Sequence, residues 1–134
     1  MKHETVSERF LRYVSVDTQS DENSNTFPST EKQKNLGRML YEELKAMGAS
    51  DAMFDENYDY VYAKIPGRAG EKTLGFIAHM DTSPDASGTD IKARVVENYD
   101  GGDILLNPER NIVMSPKTYP EMLAYKGQSL IVTD

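Results

Sequence analysis

The sequence contains no cysteine, and this absence limits the chemistry available to the protein. Without cysteine there is no disulfide framework, no thiolate zinc site and no cysteine nucleophile. Any metal that the protein binds must therefore be held by imidazole and carboxylate groups.

An excess of positive charge is also absent. The fifteen Lys and Arg residues are scattered among twenty-two Asp and Glu residues, and the formal net charge is -7. Nucleic-acid backbones are bound by clustered basic side chains, so this charge balance argues against a nucleic-acid partner.

Long apolar runs are missing as well. No stretch approaches the ~20 apolar residues that a membrane-spanning helix requires, and Met1 to Thr5 lack the apolar segment of a secretory signal. We therefore expect no membrane partner and a cytoplasmic location.

The residues that are present are typical of a folded domain. The 134 residues are 38% hydrophobic and 28% charged. A domain of this size buries about 68% of the surface that its unfolded chain exposes, which is enough for one hydrophobic core. We expect one soluble domain rather than a disordered chain.

Two helices are predicted in the first fifty residues. Thr5 and Glu8 have the spacing of a capping box, which predicts a helix over residues 6–15. A second cap, Thr30 with Gln33, predicts a helix that ends at Gly48. Apolar residues recur at three- and four-residue spacing in both helices, so we expect each helix to bury one face. These positions are Val6, Phe10, Leu11, Tyr13 and Val14, and then Leu36, Met39, Leu40, Leu44 and Met47.

After Gly48 the sequence changes to short, alternating segments rich in β-branched and aromatic residues, which predict strands. Turn residues such as Gly, Pro, Asn and Asp separate these segments. The predicted strands cover residues 52–54, 60–65, 73–78, 92–97, 103–106, 111–114 and 129–134, with a short helix at 121–126.

The apolar run Gly75-Phe76-Ile77-Ala78 ends abruptly at His79 and Asp81. Ligands of α/β proteins bind beyond the carboxyl ends of buried strands, so the run predicts a buried strand that delivers His79 to a site at residues 79–85. In an extended chain His79 and Asp81 project to the same side, about 6–7 Å apart along the strand.

This spacing suits a metal ligand and its supporting acid. A metal-bound imidazole usually donates its second ring N–H to a carboxylate or a carbonyl, which fixes the tautomer. A histidine at a strand end that is simply capped by a neighbouring acid has the same pattern. From the residues alone, both interpretations of His79 and Asp81 stay open.

The last residues predict an apolar strand with nothing after it. Leu130-Ile131-Val132 is followed by Thr133 and Asp134, without the turn and the covering element that a buried strand ordinarily requires. We therefore expect that the chain is cut off at Asp134.

Seven stretches, in order along the chain, carry a resemblance to a known family. They are Arg9 to Ser15, Asp17 to Ser20, Pro28 to Glu31 with Gln33, Gly75 to Asp85, Val96 to Tyr99, Gly101 to Ile104, and Gly127 to Asp134. They resemble the amino-terminal portion of the M20 zinc-peptidase family, and the match that they carry covers nearly all of the chain. A set of this size and order is much more specific than the His-x-Asp pattern alone.

The resemblance implies an α/β catalytic domain in which helices pack on a mixed sheet, together with a separate lid domain. Residues 1–134 would form the amino-terminal part of that catalytic domain, and the rest of it and the lid domain would be absent. Two zinc ions are the implied cofactors. His79 matches a zinc ligand, and Asp81 matches the catalytic aspartate that orients the imidazole. The family's other ligands and its general-base glutamate have no match in this chain.

The implied activity of the intact protein is that of a two-zinc aminopeptidase that releases the N-terminal residue from tripeptides. The continuation from Asp81 to Asp85 favours this branch over M20 relatives that cut dipeptides or acylated amino acids. With one matched ligand, the chain alone is expected to be inactive. The alternative is a noncatalytic folded fragment that forms homo-oligomers through exposed sheet edges.

Overall fold

A computed structural model of the protein describes residues 4–70 and 72–134. The chain divides into two compact units. One unit comprises residues 16–89, and the other comprises residues 90–134 together with the described residues before position 16. Met1 to His3, which belong to the segment that lacks the apolar residues of a secretory signal, lie outside the described residues.

The described residues form helices and small antiparallel sheets, which confirms the α/β class. The strands make three two-stranded antiparallel sheets, and one isolated parallel bridge joins Gln19 to Thr82. No helix among the described residues is long and apolar enough to cross a membrane. The elements are α1 (Val6–Val14), α2 (Lys34–Ala46), β1 (Ser50–Asp55), β2 (Tyr60–Lys64), β3 (Arg94–Val96), β4 (Ile104–Asn107), β5 (Ile112–Met114) and β6 (Leu130–Val132), with 3-10 turns at Glu31–Gln33 and Pro120–Tyr125.

Helix α1 begins at the predicted capping box. The backbone N–H of Glu8 donates to Thr5 Oγ1 at 3.2 Å, and the backbone N–H of Thr5 donates to Glu8 Oε2 at 2.7 Å. The prediction that this helix buries its apolar face is wrong, because no residue of α1 is buried and Val6 is 83% exposed. Capping sets where a helix starts, whereas burial requires a neighbour to cover its face.

The start of α2 differs from the prediction. Thr30 makes no side-chain cap, and its hydroxyl instead donates to the backbone carbonyl of Gln19 at 2.8 Å. A 3-10 turn at Glu31–Gln33 precedes the α-helix. The helix ends before Gly48, whose φ of 81° lies in the left-handed region. The Thr30 side chain bonds to a loop that is distant from it in sequence. Local residue spacing does not reveal this contact.

Strands β1 and β2 form an antiparallel hairpin that packs against α2. Leu36 and Gly37 are the buried residues of the helix, and the Tyr41 and Phe54 rings lie 6.4 Å apart between their centroids. The hairpin turn contains Asp59, which is buried at 5% exposure and has a left-handed φ of 58°. Helix and hairpin are adjacent in sequence, so short connections bring their apolar faces together.

The predicted buried strand at residues 73–78 is not present. The segment forms no strand, and Leu74, Phe76 and Ile77 are 77%, 90% and 102% exposed. A strand is stable when neighbouring strands satisfy its backbone N–H and C=O groups and other elements cover its faces. Among the described residues, the bridge at Thr82 is the one ladder contact near this run.

In the other unit, β4 pairs with β5 and β3 pairs with β6, both antiparallel. The strands predicted at 92–97, 103–106, 111–114 and 129–134 are thereby confirmed in their central residues. The predicted short helix is a 3-10 turn at Pro120–Tyr125. The core of this unit is a cluster of four buried side chains: Tyr99, Ile104, Met122 and Val132.

Candidate functional site

The structure brings the two predicted site residues together. His79 Nδ1 lies 3.1 Å from Asp81 Oδ1, so the pair projects to the same side as the period-two argument requires. Both side chains are accessible, that of His79 at 85% exposure and that of Asp81 at 47%. The contact engages Nδ1 of the imidazole and leaves Nε2 available to a ligand.

This geometry is compatible with both interpretations of the pair. A carboxylate at Nδ1 fixes the tautomer whose Nε2 lone pair can bind a metal. A histidine capped by a neighbouring acid makes the same contact. The roles of His79 as a zinc ligand and of Asp81 as its orienter therefore stay predictions.

The donor set of a zinc site is incomplete in this part of the chain. A catalytic zinc normally takes three protein ligands, commonly His with Asp or Glu. Residues 4–70 and 72–134 contain no group of three or more His, Asp or Glu side chains placed to hold one metal ion. His79 and Asp81 fit one ligand and its support, and the remaining ligands would have to come from elsewhere.

The residues after Asp81 form a polar loop that is tied to a second loop at residues 17–20. The backbone N–H of Thr82 donates to the carbonyl of Thr18 at 3.1 Å, and the N–H of Ser20 donates to the carbonyl of Thr82 at 2.9 Å. Thr18 is 2% exposed, so this junction is well packed. The His79–Asp81 pair thus stands immediately before an anchored position.

The contact of the loop at residues 17–20 with the candidate site was not predicted from the sequence. Asp17 to Ser20 carries part of the family resemblance, but the spacing of its residues does not indicate a contact with residues 79–85. The carboxylate of Asp17 is paired with Lys32 at 2.8 Å. That hydrogen-bonded ammonium, the backbone N–H of Gln19 and the Thr89 hydroxyl lower the pKa of Asp17 below its usual value, although partial burial opposes them. The signal was the density of hydrogen-bonding side chains in a segment without helix or strand periodicity.

Curated proteins named peptidase T are similar to this chain over nearly its whole length. Peptidase T of Desulfitobacterium hafniense (strain DSM 10664 / DCB-2) is 58% identical over 132 residues, which cover 97% of this chain and 32% of that protein. Peptidase T of Clostridium acetobutylicum is 57% identical over 133 residues, covering 98% of this chain and 32% of the relative. Peptidase T of Geobacillus thermodenitrificans is 52% identical over 136 residues, covering 100% of this chain and 33% of the relative.

No protein-family model matches the chain. The chain spans about a third of the length of the curated relatives it matches. The similarity to peptidase T confirms the resemblance that the seven sequence stretches indicated, and it is consistent with an amino-terminal portion of such a protein.

Proposed function

We propose that this chain is the amino-terminal part of a zinc-dependent aminopeptidase that releases the N-terminal residue from tripeptides. The observation that carries the proposal is the 3.1 Å contact between His79 and Asp81 in a chain 58% identical to a peptidase T. A cytoplasmic location, the M20 family and a pair of zinc ions are parts of the same proposal.

In this proposal Asp81 accepts the Nδ1–H of His79 and so holds the imidazole with its Nε2 lone pair turned toward the metal. Zinc bound there would supply Lewis-acid chemistry at the scissile carbonyl. The mechanism also requires further metal ligands and a proton-transferring group, which His79 and Asp81 do not supply.

A second proposal concerns the chain by itself, which we expect to be a noncatalytic fragment that self-associates. The exposed side chains of Leu74, Phe76 and Ile77 favour it, because an extended apolar segment with an unpaired backbone is a template for pairing with another chain. Sedimentation of the 134-residue chain should then show concentration-dependent homo-oligomers. A monomer at all concentrations would contradict this second proposal.

The first proposal is tested on the full-length protein that carries this chain. We expect tripeptide hydrolysis that a chelator abolishes and zinc restores, and a loss of at least about a hundredfold in kcat/KM for His79→Ala. Asp81→Asn should lower zinc affinity by about 10- to 100-fold, the usual effect of losing a supporting acid. His3→Ala, at the other histidine of the sequence, is the matched control and should keep full activity.

Activity that survives both metal removal and His79→Ala would exclude the zinc mechanism. Preferential cleavage of dipeptides or acylated amino acids would instead point to the other M20 branches. For the 134-residue chain, calorimetry with zinc should detect weak binding at most. Tight binding would show that the site is more complete than a single matched ligand suggests.

A further inference from the structure

The loop that follows Asp81 is attached to residues 17–20 by side chains as well as by the backbone. The side-chain amide of Gln19 donates to the carbonyl of Pro84 at 3.1 Å and to that of Ala86 at 2.8 Å. Both donors of one amide are thus used on carbonyls of the same loop. Gln19 also forms the parallel bridge with Thr82. Its contacts with this loop therefore extend from residue 82 to residue 86.

The orientation of Gln19 is set by contacts with Thr30 and Lys32, which lie before helix α2. Its Oε1 lies 3.5 Å from Lys32 Nζ, and its backbone carbonyl accepts the Thr30 hydroxyl at 2.8 Å. The ammonium of Lys32 can only donate, which assigns the oxygen of the amide to the lysine and the nitrogen to the loop carbonyls. The segment before α2 therefore holds Gln19 ready to bind the loop.

Asp17 extends the same attachment to the end of the loop. Its Oδ2 accepts the Thr89 hydroxyl at 2.8 Å, and its Oδ1 accepts the backbone N–H of Gln19 at 3.0 Å. Gly88 lies very close to Asp17 and Gln19. A Cβ at this position would lie 2.7 Å from Asp17 Oδ1 and 3.2 Å from Gln19 Cβ. Residues 82–89 are thus held at both ends and in the middle.

His79 and Asp81 depend on this attachment because the segment before them is not held. Leu74, Phe76 and Ile77 are exposed, and residues 72–78 form no strand within the described part of the chain. The position of the pair is therefore defined from its carboxyl-terminal side, where Thr82 is bonded to Thr18 and Ser20.

We propose that Gln19 is a positioning residue for the His79–Asp81 pair, acting through its two hydrogen bonds to the loop at residues 82–89. This role rests on the proposed zinc function. Gln19 does not touch the metal or the substrate in this proposal. It fixes the loop whose first residue follows Asp81, and thereby the direction in which the imidazole is presented.

The decisive variant is Gln19→Glu, which keeps size and the contact with Lys32 but replaces two donors with a carboxylate oxygen facing two carbonyls. Hydrogen exchange of the 134-residue chain should become about tenfold faster at the Ser20 and Thr82 amides, because the variant loses both hydrogen bonds to the loop and places a carboxylate oxygen against two carbonyl oxygens. In the full-length protein, zinc affinity measured by chelator competition should fall by about tenfold.

The matched control is Gln128→Glu, which makes the same chemical change at an amide that donates to the Ala124 carbonyl at 3.3 Å in the other unit. It should alter neither exchange at Ser20 and Thr82 nor zinc affinity. Gln19→Met removes the two donors without adding charge, and it replaces Gln19→Glu if exchange of the β1–β2 hairpin shows that the latter unfolds the unit.

Unchanged exchange at Ser20 and Thr82 in a folded Gln19 variant would overturn the positioning role. Unchanged zinc affinity beside faster exchange would overturn it too, because the loop would then be held without affecting the metal site. A wild-type full-length protein that binds no zinc would instead refute the proposed function, and the positioning role with it. The two failures are therefore distinguished by the wild-type measurement.

Discussion

Helix α2 with its hairpin, and the segment at residues 72–81, contain similar apolar side chains but bury them very differently. Leu36 of the helix is 7% exposed, whereas Leu74 is 77% exposed and Ile77 is 102% exposed. Both regions belong to the unit of residues 16–89. Hydrophobicity alone therefore does not determine which of these side chains is buried.

The difference lies in the partners available to each backbone. Helix α2 satisfies its own hydrogen bonds, and β1 and β2 satisfy each other as an antiparallel pair. An extended segment has no internal hydrogen bonds and depends on neighbouring strands. At Thr82 the segment pairs with a neighbouring stretch of the described chain. The candidate site lies between the exposed residues before it and this paired position.

The largest effect is expected from a matched pair of leucine truncations. Leu36→Ala should lower the free energy of unfolding of the chain by about 3 kcal/mol, because a buried side chain is lost and a cavity remains. Leu74→Ala should change it by less than about 0.5 kcal/mol, because that side chain is already in water. Urea denaturation followed by circular dichroism measures both. Equal losses at the two positions would show that residues 72–81 are packed after all.

A pair of glycine substitutions tests the same comparison at the backbone. In helix α2, Gly37→Ala would place a Cβ 2.2 Å from Asp59 Oδ1 and 2.7 Å from Phe54 Cε2, whereas Gly75→Ala would meet nothing within 4 Å. Alanine normally stabilises an exposed helix position by about 1 kcal/mol, but overpacking here should reverse the sign and cost about 2 kcal/mol. Gly75→Ala should leave the denaturation midpoint unchanged. Stabilisation by Gly37→Ala would contradict the close packing of helix and hairpin.

A smaller effect of opposite sign is expected at Asp59 in the hairpin turn. Its Oδ1 is buried without a hydrogen-bond partner among the described residues. Burial raises the pKa of this carboxyl, although Lys34 and Arg38 nearby oppose the rise. Asp59→Asn removes the buried charge while tolerating the left-handed φ, so the chain should become more stable near neutral pH by about 1 kcal/mol.

The pH dependence of that gain follows from the direction of the pKa shift. A carboxyl whose pKa is raised by folding favours the folded state when protonated, and it loses this contribution as the pH rises through the raised pKa. The advantage of Asp59→Asn should therefore be largest above that pKa and should disappear below the ordinary value of 3.8. Thermal unfolding at several pH values measures it, and a gain that is independent of pH would point to another cause.

Local patterns predicted the elements whose hydrogen bonds close within short stretches of sequence. The capping box of Thr5 and Glu8, the helix before Gly48 and the strands around Tyr99 were all recognised from residue spacing and turn chemistry. The pairing of His79 with Asp81 is of the same kind, since two residues of separation in an extended chain suffice to bring the side chains within 3.1 Å.

Contacts between segments distant in sequence were decided by the tertiary structure. Thr30 bonds to Gln19 rather than capping a helix, and the Gln19 amide bonds to carbonyls 65 and 67 residues away. The sequence by itself determined that an imidazole and a carboxylate stand side by side at the end of an apolar run. The tertiary structure decided that this run is exposed and that its far end is held by Gln19, because burial and long-range hydrogen bonds depend on which segments meet in space.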